Sequence, residues 1–292
     1  MSGFTFGQNW KAYSRVLDEQ RLDAAAASLQ QLLGMRSVDG LTVADVGAGS
    51  GLFSLAMIRL GAAHVTAIDR DPECVAVIRD NAERFLEPTL AAKLDVRPGD
   101  VLEPRTLPDA RFDVVYAWGS LHHTGAMWPA IEHAAALCGP GGLLVLAVYN
   151  QTWFSRGWLA VKRVYHRAPS PVQVAMAAAL AMPRAAARAI RGRSAGRTDR
   201  GMSVWYDAVD WLGGLPYECA RPVAVESFLA ARGFALVRRW TTRRHGCNQF
   251  TFRRLTSNPG GAGMVRAMAY EVTPSGASSD GDVEPVTGEG GA

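Results

Sequence analysis

The stretch that decides the fold is Val43–Leu52, VADVGAGSGL: an apolar run that reads as a strand, an acid inside it, and three glycines spaced two apart. Glycine admits positive φ and lets a ligand approach the main chain, so such a strand feeds a helix whose first N–H groups face a bound molecule. A dinucleotide loop requires G-x-G-x-x-G, yet counting on from Gly47 and Gly49 puts Leu52 at the third glycine position. A P-loop requires G-x-x-x-x-G-K, and Leu52 again stands where its second glycine belongs, with no lysine behind it. The pattern that remains is D-x-G-x-G-x-G, formed by Asp45, Gly47, Gly49 and Gly51.

Outward from this loop the periodicity is that of an α/β protein. Strands are expected at Leu41–Val46, His64–Ile68, Leu94–Arg97, Phe112–Ala117 and Leu143–Val148, with helices at Leu52–Leu60, Pro72–Phe85 and Met127–Leu137. Such alternation predicts a Rossmann-like, doubly wound sheet, mostly parallel. The pattern lapses from 150 to 220 and resumes as helix Val223–Arg232 and strands Phe234–Thr241 and Cys247–Arg253, an ending that supplies an antiparallel edge strand. Ahead of the loop, Leu17–Leu33 has helical spacing and follows an aromatic start of Phe4, Phe6, Trp10 and Tyr13. The expected organisation is a helical lid over 1–38, a Rossmann-like core over 39–150, a helical cap over 151–220, the end of the core sheet over 221–256, and a disordered tail rich in Gly, Ser, Pro and acids over 257–292.

Composition bounds the rest. A chain of 292 residues with 48% hydrophobic content buries a full α/β core. The start MSGFTFGQNW carries no signal-peptide pattern, and the uncharged stretch Ala168–Pro183 is too short and interrupted for a stable membrane span. Cys74, Cys138, Cys219 and Cys247 form no C-x-x-C pair, so neither a disulfide framework nor a metal site is expected, and the cytoplasm is the default location. Of 31 basic residues only Lys11, Lys93 and Lys162 are lysines, within a net charge of +4. The arginine-rich run 184–200 reads as a solvated helix face, a phosphate grip or a membrane-facing patch; it lacks the interleaved aromatics of a nucleic-acid surface.

In a doubly wound sheet the ligand lies beyond the carboxyl ends of the strands. That rule selects Asp69, which lies 24 residues after Asp45 where an acid takes a ribose diol, then Asp100 after the third strand and YAWGSLHHTGAMW after the fourth.

Taken in order, VADVGAGSGLFSLA, AIDRDP, RPGDVLE, FDVVYAWGSLHHTGAMW and GPGGLLVLAVYN resemble the successive motifs of the class I methyltransferases that use S-adenosylmethionine. FTFGQNWKAY, WYDAVDWLGGLPYECARP and HGCNQFTF resemble a bacterial small-molecule subgroup often labelled by similarity to quinol methylases. The resemblance implies that Gly47, Gly49 and Gly51 pass under S-adenosylmethionine with Asp45 fixing the loop, that Asp69 binds the ribose, and that Asp100 and the Val101 backbone meet the adenine. It places Trp118 and Gly119 near the methionine end, with Trp10 among the cofactor-binding residues. No metal is implied.

Attack on a sulfonium methyl is an in-line displacement that the enzyme serves mainly by alignment. A hydroxyl acceptor also needs a base, and His122 and His123 are candidates, with His122 slightly favoured and Tyr149 beside them. The cap supplies Asn150 and Trp153 at the site's rim, then Trp205, Tyr206, Asp207, Asp210 and Glu218, acids beside aromatics that suit a polar ring. The leading expectation is N- or O-methylation of a small polar acceptor, an amino sugar or related natural-product intermediate, free or nucleotide-linked. The alternatives are O-methylation of a quinol or phenol and, from another class, a cofactor-binding regulatory protein without catalysis.

Overall fold

The computed structural model describes residues 6–243 and 245–256. Phe4 of the aromatic start and the 257–292 segment expected as a tail lie outside the described residues.

Two helices precede the sheet, α1 (Phe6–Ser14) and α2 (Glu19–Leu33). Helix α2 starts two residues later than its apolar spacing suggests, because the Asp18 side chain accepts from the Arg21 N–H and caps it there. The alternation then follows as β1 (Thr42–Val46), α3 (Leu52–Arg59), β2 (His64–Asp69), α4 (Pro72–Phe85), a short α5 (Pro88–Ala91), β3 (Leu94–Pro98), β4 (Phe112–Trp118), α6 (Met127–Leu137) and β5 (Cys138–Tyr149). The cap holds α7 (Ser155–Arg167), α8 (Ser170–Ile190) and α9 (Val204–Gly213). The chain closes with α10 (Pro222–Ala230), β6 (Phe234–Trp240) and β7 (Cys247–Arg254).

The seven strands run in the order β3-β2-β1-β4-β5-β7-β6. β7 pairs antiparallel with both β5 and β6, so the reversed strand is the second from the edge, and β6 forms the edge itself. β5 starts earlier than its apolar core because Cys138 pairs with Phe112 before a bulge restores the register at Val114–Leu143.

Neighbouring residues of the central strands enter opposite cores. Ala44, Val115 and Leu144 pack with α6 and α10, while Val43, Val114 and Leu143 pack with α2 and α3. Burial on both faces is why these strands read as unbroken apolar runs. The chain reverses from β1 to β2 on one side and to β4 on the other, so the carboxyl ends of β1 and β4 frame the crevice where a ligand sits.

Phe250 and Phe252 of the reversed strand are fully buried, with rings 5.7 Å apart. Phe250→Ala is expected to lower unfolding stability by about 3–5 kcal/mol, while truncation of the exposed Leu255 costs less than about 0.5 kcal/mol. Urea denaturation of the two variants checks the contrast.

Candidate active site

The glycine loop is pinned from below by β2. Gly47 and Ala48 donate their N–H groups to the Ile68 carbonyl at 2.8 and 3.1 Å, and Gly49 donates to Asp69 Oδ2 at 2.8 Å. Gly47 and Gly49 take φ of +75° and +59°. A Cβ on Gly47 would stand 2.3 Å from that of Ser120, and one on Gly49 would stand 2.9 Å from the Trp10 ring. Asp45 lies buried behind the loop and accepts from Ser54 Oγ of α3 at 2.6 Å; burial, with the Asp69 charge adding, raises its carboxyl to about 7. Asp69 is also pushed up by burial, against the stabilising N–H donors of Asp71 and Gly49.

This frame fits an S-adenosyl nucleoside. Each oxygen of Asp69 accepts one backbone N–H, with the Cys74 thiol also beside the carboxylate, and lone pairs are left over of the kind a vicinal diol requires. Gly119, with φ of +79° just past β4, has open space where a side chain would begin. Asp100 is half-buried beyond β3; its Oδ1 accepts from Leu102 N, and Arg70 approaches at 3.7 Å. Val101 is buried with its carbonyl turned to His133 Nδ1 at 2.8 Å.

Helix α1 straps this frame from above. On one side Gly7 N donates to Asp71 Oδ2 at 2.9 Å and Lys11 pairs with Glu73, while on another Tyr13 donates to the Gly201 carbonyl at 3.0 Å. Trp10 lies over Gly49, and Phe6 reaches to 5.1 Å from the His123 ring.

Beyond the end of β5 a second cluster faces the cap. His123 Nδ1 sits 2.8 Å from the Pro216 carbonyl, which only accepts, so that nitrogen carries the proton. Its Nε2 is then a lone pair 3.3 Å from the Tyr149 hydroxyl, which donates to it. Tyr149 is walled by His122 at 3.8 Å, Trp211 at 4.6 Å and Tyr217 at 5.3 Å between ring centroids. Lys162 of α7 is fully buried, donates to the Gly214 carbonyl at 2.9 Å and stands 5.4 and 5.2 Å from the Tyr149 and Tyr217 rings. Burial lowers its ammonium pKa, with Asp210 opposing; burial and Asp207 raise Asp210, whose Oδ1 is buried without a hydrogen bond. Burial holds His123 down to about 3 and His122 well below the usual imidazole value.

Several expected residues do other work. Trp153 is 94% exposed and points away from the cluster, because it sits in the turn before α7. Glu218 accepts from Met127 N with both oxygens, at 3.2 and 3.1 Å, and so caps α6. Asn150 joins β5 to the β6–β7 hairpin through Thr242 O at 2.6 Å and Asn248 Nδ2 at 3.0 Å. Tyr206 packs under the lid, edge-on to Tyr13, and Trp205 is partly exposed on the same helix. His122, favoured over His123 from the sequence, is fully enclosed against Tyr149, and its nitrogens find only a weak interaction with the Ala147 carbonyl.

The arginine run is not a uniformly solvated face. Arg188 and Arg193 both pair with Asp199 at 2.7 Å, Arg197 donates to the Gln20 carbonyl, and Arg200 donates to the Tyr116 hydroxyl at 2.7 Å while its guanidinium lies 3.0 Å from the Trp118 ring centroid. Trp118 is turned by a bond from Nε1 to Gln249 Oε1 at 3.0 Å. Sequence reasoning missed Lys162 and Arg200. The lone lysine in an arginine-biased cap was the available signal for the first; nothing in the pattern separated Arg200 from its neighbours.

Comparison with known proteins agrees with this frame. Residues 17–208 match the family described as a methyltransferase domain, and the chain belongs to that family. With its glycine loop, strand-end acids and sheet order, it is a class I methyltransferase whose methyl donor is S-adenosylmethionine. A ubiquinone biosynthesis O-methyltransferase of Paramagnetospirillum magneticum is 38% identical over 125 residues, 42% of this chain and 46% of the relative. One from Xanthomonas campestris is 38% identical over 136 residues, 47% and 52% of the two chains. The chain thus matches about half the length of these curated relatives. Among solved structures, the magnesium protoporphyrin IX methyltransferase of Synechocystis, with bound SAH, superposes with a TM-score of 0.50 at 18% identity, covering 87% of this chain and 89% of the other, a likeness of fold. No helix among the described residues is long and apolar enough to cross a membrane.

Two outcomes follow from the geometry. Asp69→Ala removes charge-assisted bonds worth about 1.5–3 kcal/mol each and frees the Gly49 N–H, so calorimetry should show S-adenosylmethionine binding weakened by more than about tenfold. The buried histidines remain neutral in the folded chain while the unfolded chain takes up protons below about 6.5, so their contribution to stability is present above that pH and is lost as pH falls toward 3. Asp45 acts with the opposite sign between its unfolded value and about 7. Imidazole proton resonances of His122 and His123 should therefore stay unshifted from pH 8 to 5.

Proposed function

We propose that the protein methylates a hydroxyl of a small phenolic or quinol-type acceptor held between the carboxyl end of β5 and the cap. The observation that carries this reading is the Tyr149 hydroxyl donating to His123 Nε2 among aromatic walls, with the Lys162 ammonium behind. Its relatives named as ubiquinone biosynthesis O-methyltransferases support the same acceptor class.

Bound S-adenosylmethionine supplies an electrophilic methyl group on a cationic sulfur whose charge is lost on transfer. Asp69, the glycine loop and the lid hold it and exclude water. The acceptor hydroxyl is set against Tyr149 Oη; as its oxygen attacks, its proton passes to Tyr149 and the Tyr149 proton passes to His123 Nε2. The Pro216 carbonyl then faces Nδ1–H of an imidazolium. An imidazolium in so dry a place is costly, which is why His123 is held low at rest. One positive charge disappears as the other forms, so the charge in the enclosed site stays constant. Lys162 stabilises negative charge developing on the acceptor oxygen, and Trp211 and Tyr217, which cover the Tyr149 ring, give the acceptor an apolar wall.

A second reading, an amino-sugar or other polyhydroxylated acceptor, is favoured by one observation: the buried, unbonded Oδ1 of Asp210 beside Asp207. Paired variants separate the two. With a catechol or quinol substrate, Tyr149→Phe should lower kcat by about 10²-fold with little change in cofactor affinity. Replacing Asp207 and Asp210 by Asn should cost less than about tenfold on that substrate, but more than about tenfold on an amine or sugar acceptor. Labelled methyl transfer to each acceptor class measures both, and full activity of Tyr149→Phe on a phenol would remove the relay.

A further inference from the structure

The cap carries a surface that the proposed chemistry does not use. Between Trp153 and Thr198 the sequence holds no aspartate or glutamate. Helices α7 and α8 turn Trp158, Val161, Tyr165, Ala177 and Leu180 inward against Val209 and Leu212 of α9, so their other faces point away from the protein. On α7 the outward face is Arg156, Ala160, Arg163, Val164 and Arg167, a helical series that continues Trp153. On α8 it is Val172, Ala175, Ala179, Met182, Ala186 and Ile190, one stripe at spacings of three and four, with Arg184 and Arg191 at its side. Trp153 is 94% exposed, Ile190 87% and Met182 68%, values that isolated surface apolar residues rarely reach together.

We infer that this outer face of the cap is a docking surface for an anionic lipid bilayer, on which α7 and α8 lie in the plane of the interface. The charge pattern selects this occupant. An acid-free face of arginines interleaved with aliphatic side chains and a tryptophan complements lipid phosphates above acyl chains, with the arginine stems reaching from the apolar level to the headgroups. A membrane span is not involved, since no helix among the described residues is long and apolar enough to cross a bilayer. The inference stands on the surface alone and does not require the phenolic acceptor.

The test is co-sedimentation of the full chain with vesicles of equal parts phosphatidylglycerol and phosphatidylcholine, against phosphatidylcholine alone. Partition should be more than about tenfold stronger on the anionic vesicles and should weaken as salt rises. Two variants, Arg156→Glu with Arg163→Glu and Arg167→Glu, and separately Met182→Ser with Ile190→Ser, should each reduce it severalfold while S-adenosylmethionine affinity is kept. Equal partition on both vesicle types, or partition that both variants leave unchanged, overturns the inference. So does a loss seen in both variants only together with lost cofactor affinity. Self-association abolished by the Met182 and Ile190 changes, without vesicle binding, would assign the face to a second copy of the chain.

Discussion

The arrangement hangs on two carboxylates at the end of β2. Asp69 takes the Gly49 N–H on one oxygen and the Asp71 N–H on the other, and Asp71 takes the Glu73 N–H at the start of α4 and the Gly7 N–H of the lid. Four backbone donors that would otherwise face an apolar interior or water are thereby fixed to two side chains. The glycine loop needs such an anchor because its positive-φ residues cost conformational entropy to order. The same pair of acids sets the direction of α4 and ties the first helix across the mouth of the crevice. Burial of Asp69 strengthens each bond, since fewer waters compete, and the raised carboxyl shows that the bonds compensate only part of the desolvation.

The cap is held to the sheet by a different principle, burial of cations against aromatic faces. Lys162 lies between Tyr149 and Tyr217, and Arg200 lies on Trp118 and Phe53. Neither forms a carboxylate ion pair within 4 Å among the described residues; each donates to a neutral oxygen instead, Gly214 O and Tyr116 Oη. A buried cation without a close anion is expensive, and ring quadrupoles repay only about 2 kcal/mol at a desolvated contact. Negative charge arriving in this region, on an acceptor or on its attacking oxygen, would therefore meet a field already directed toward it.

How far the sequence could be read depended on whether a residue's neighbours are local. The core was legible because strands buried on both faces and helices buried on one write their period into consecutive residues, and the glycine loop because its backbone demand excludes other residue types. The reversed strand was anticipated, but its place between β5 and the edge was not, since antiparallel pairing fixes direction and leaves strand order open. The cap resisted reading because its side chains are partnered across long separations. Glu218 looks like an acceptor ligand until Met127 N is found beside it, and Asn150 until the hairpin closes on it. His122 and His123 are adjacent in sequence and alike in composition; only the Pro216 carbonyl, 93 positions away in the chain, distinguishes them by fixing a tautomer.

The lid joins these two systems. Its amino-terminal Gly7 is bonded to Asp71 and its Lys11, one turn on, pairs with Glu73; between them Trp10 rests on Gly49, and the far side is bonded to Gly201 and the Tyr206 carbonyl of the cap. Phe6 reaches on to His123. A nine-residue helix secured on both sides cannot lift from the glycine loop without breaking Tyr13's hydrogen bond to the loop that leads into α9. The glycine loop and the start of the α9 region are thus joined by contacts of one helix. Conversely, anything that orders the glycine loop beneath Trp10 also steadies Gly201, Tyr206 and the start of the helix that carries Asp207 and Asp210. The chain of bonds thus runs from the carboxyl end of β2 through the first helix to the segment that leads into α9.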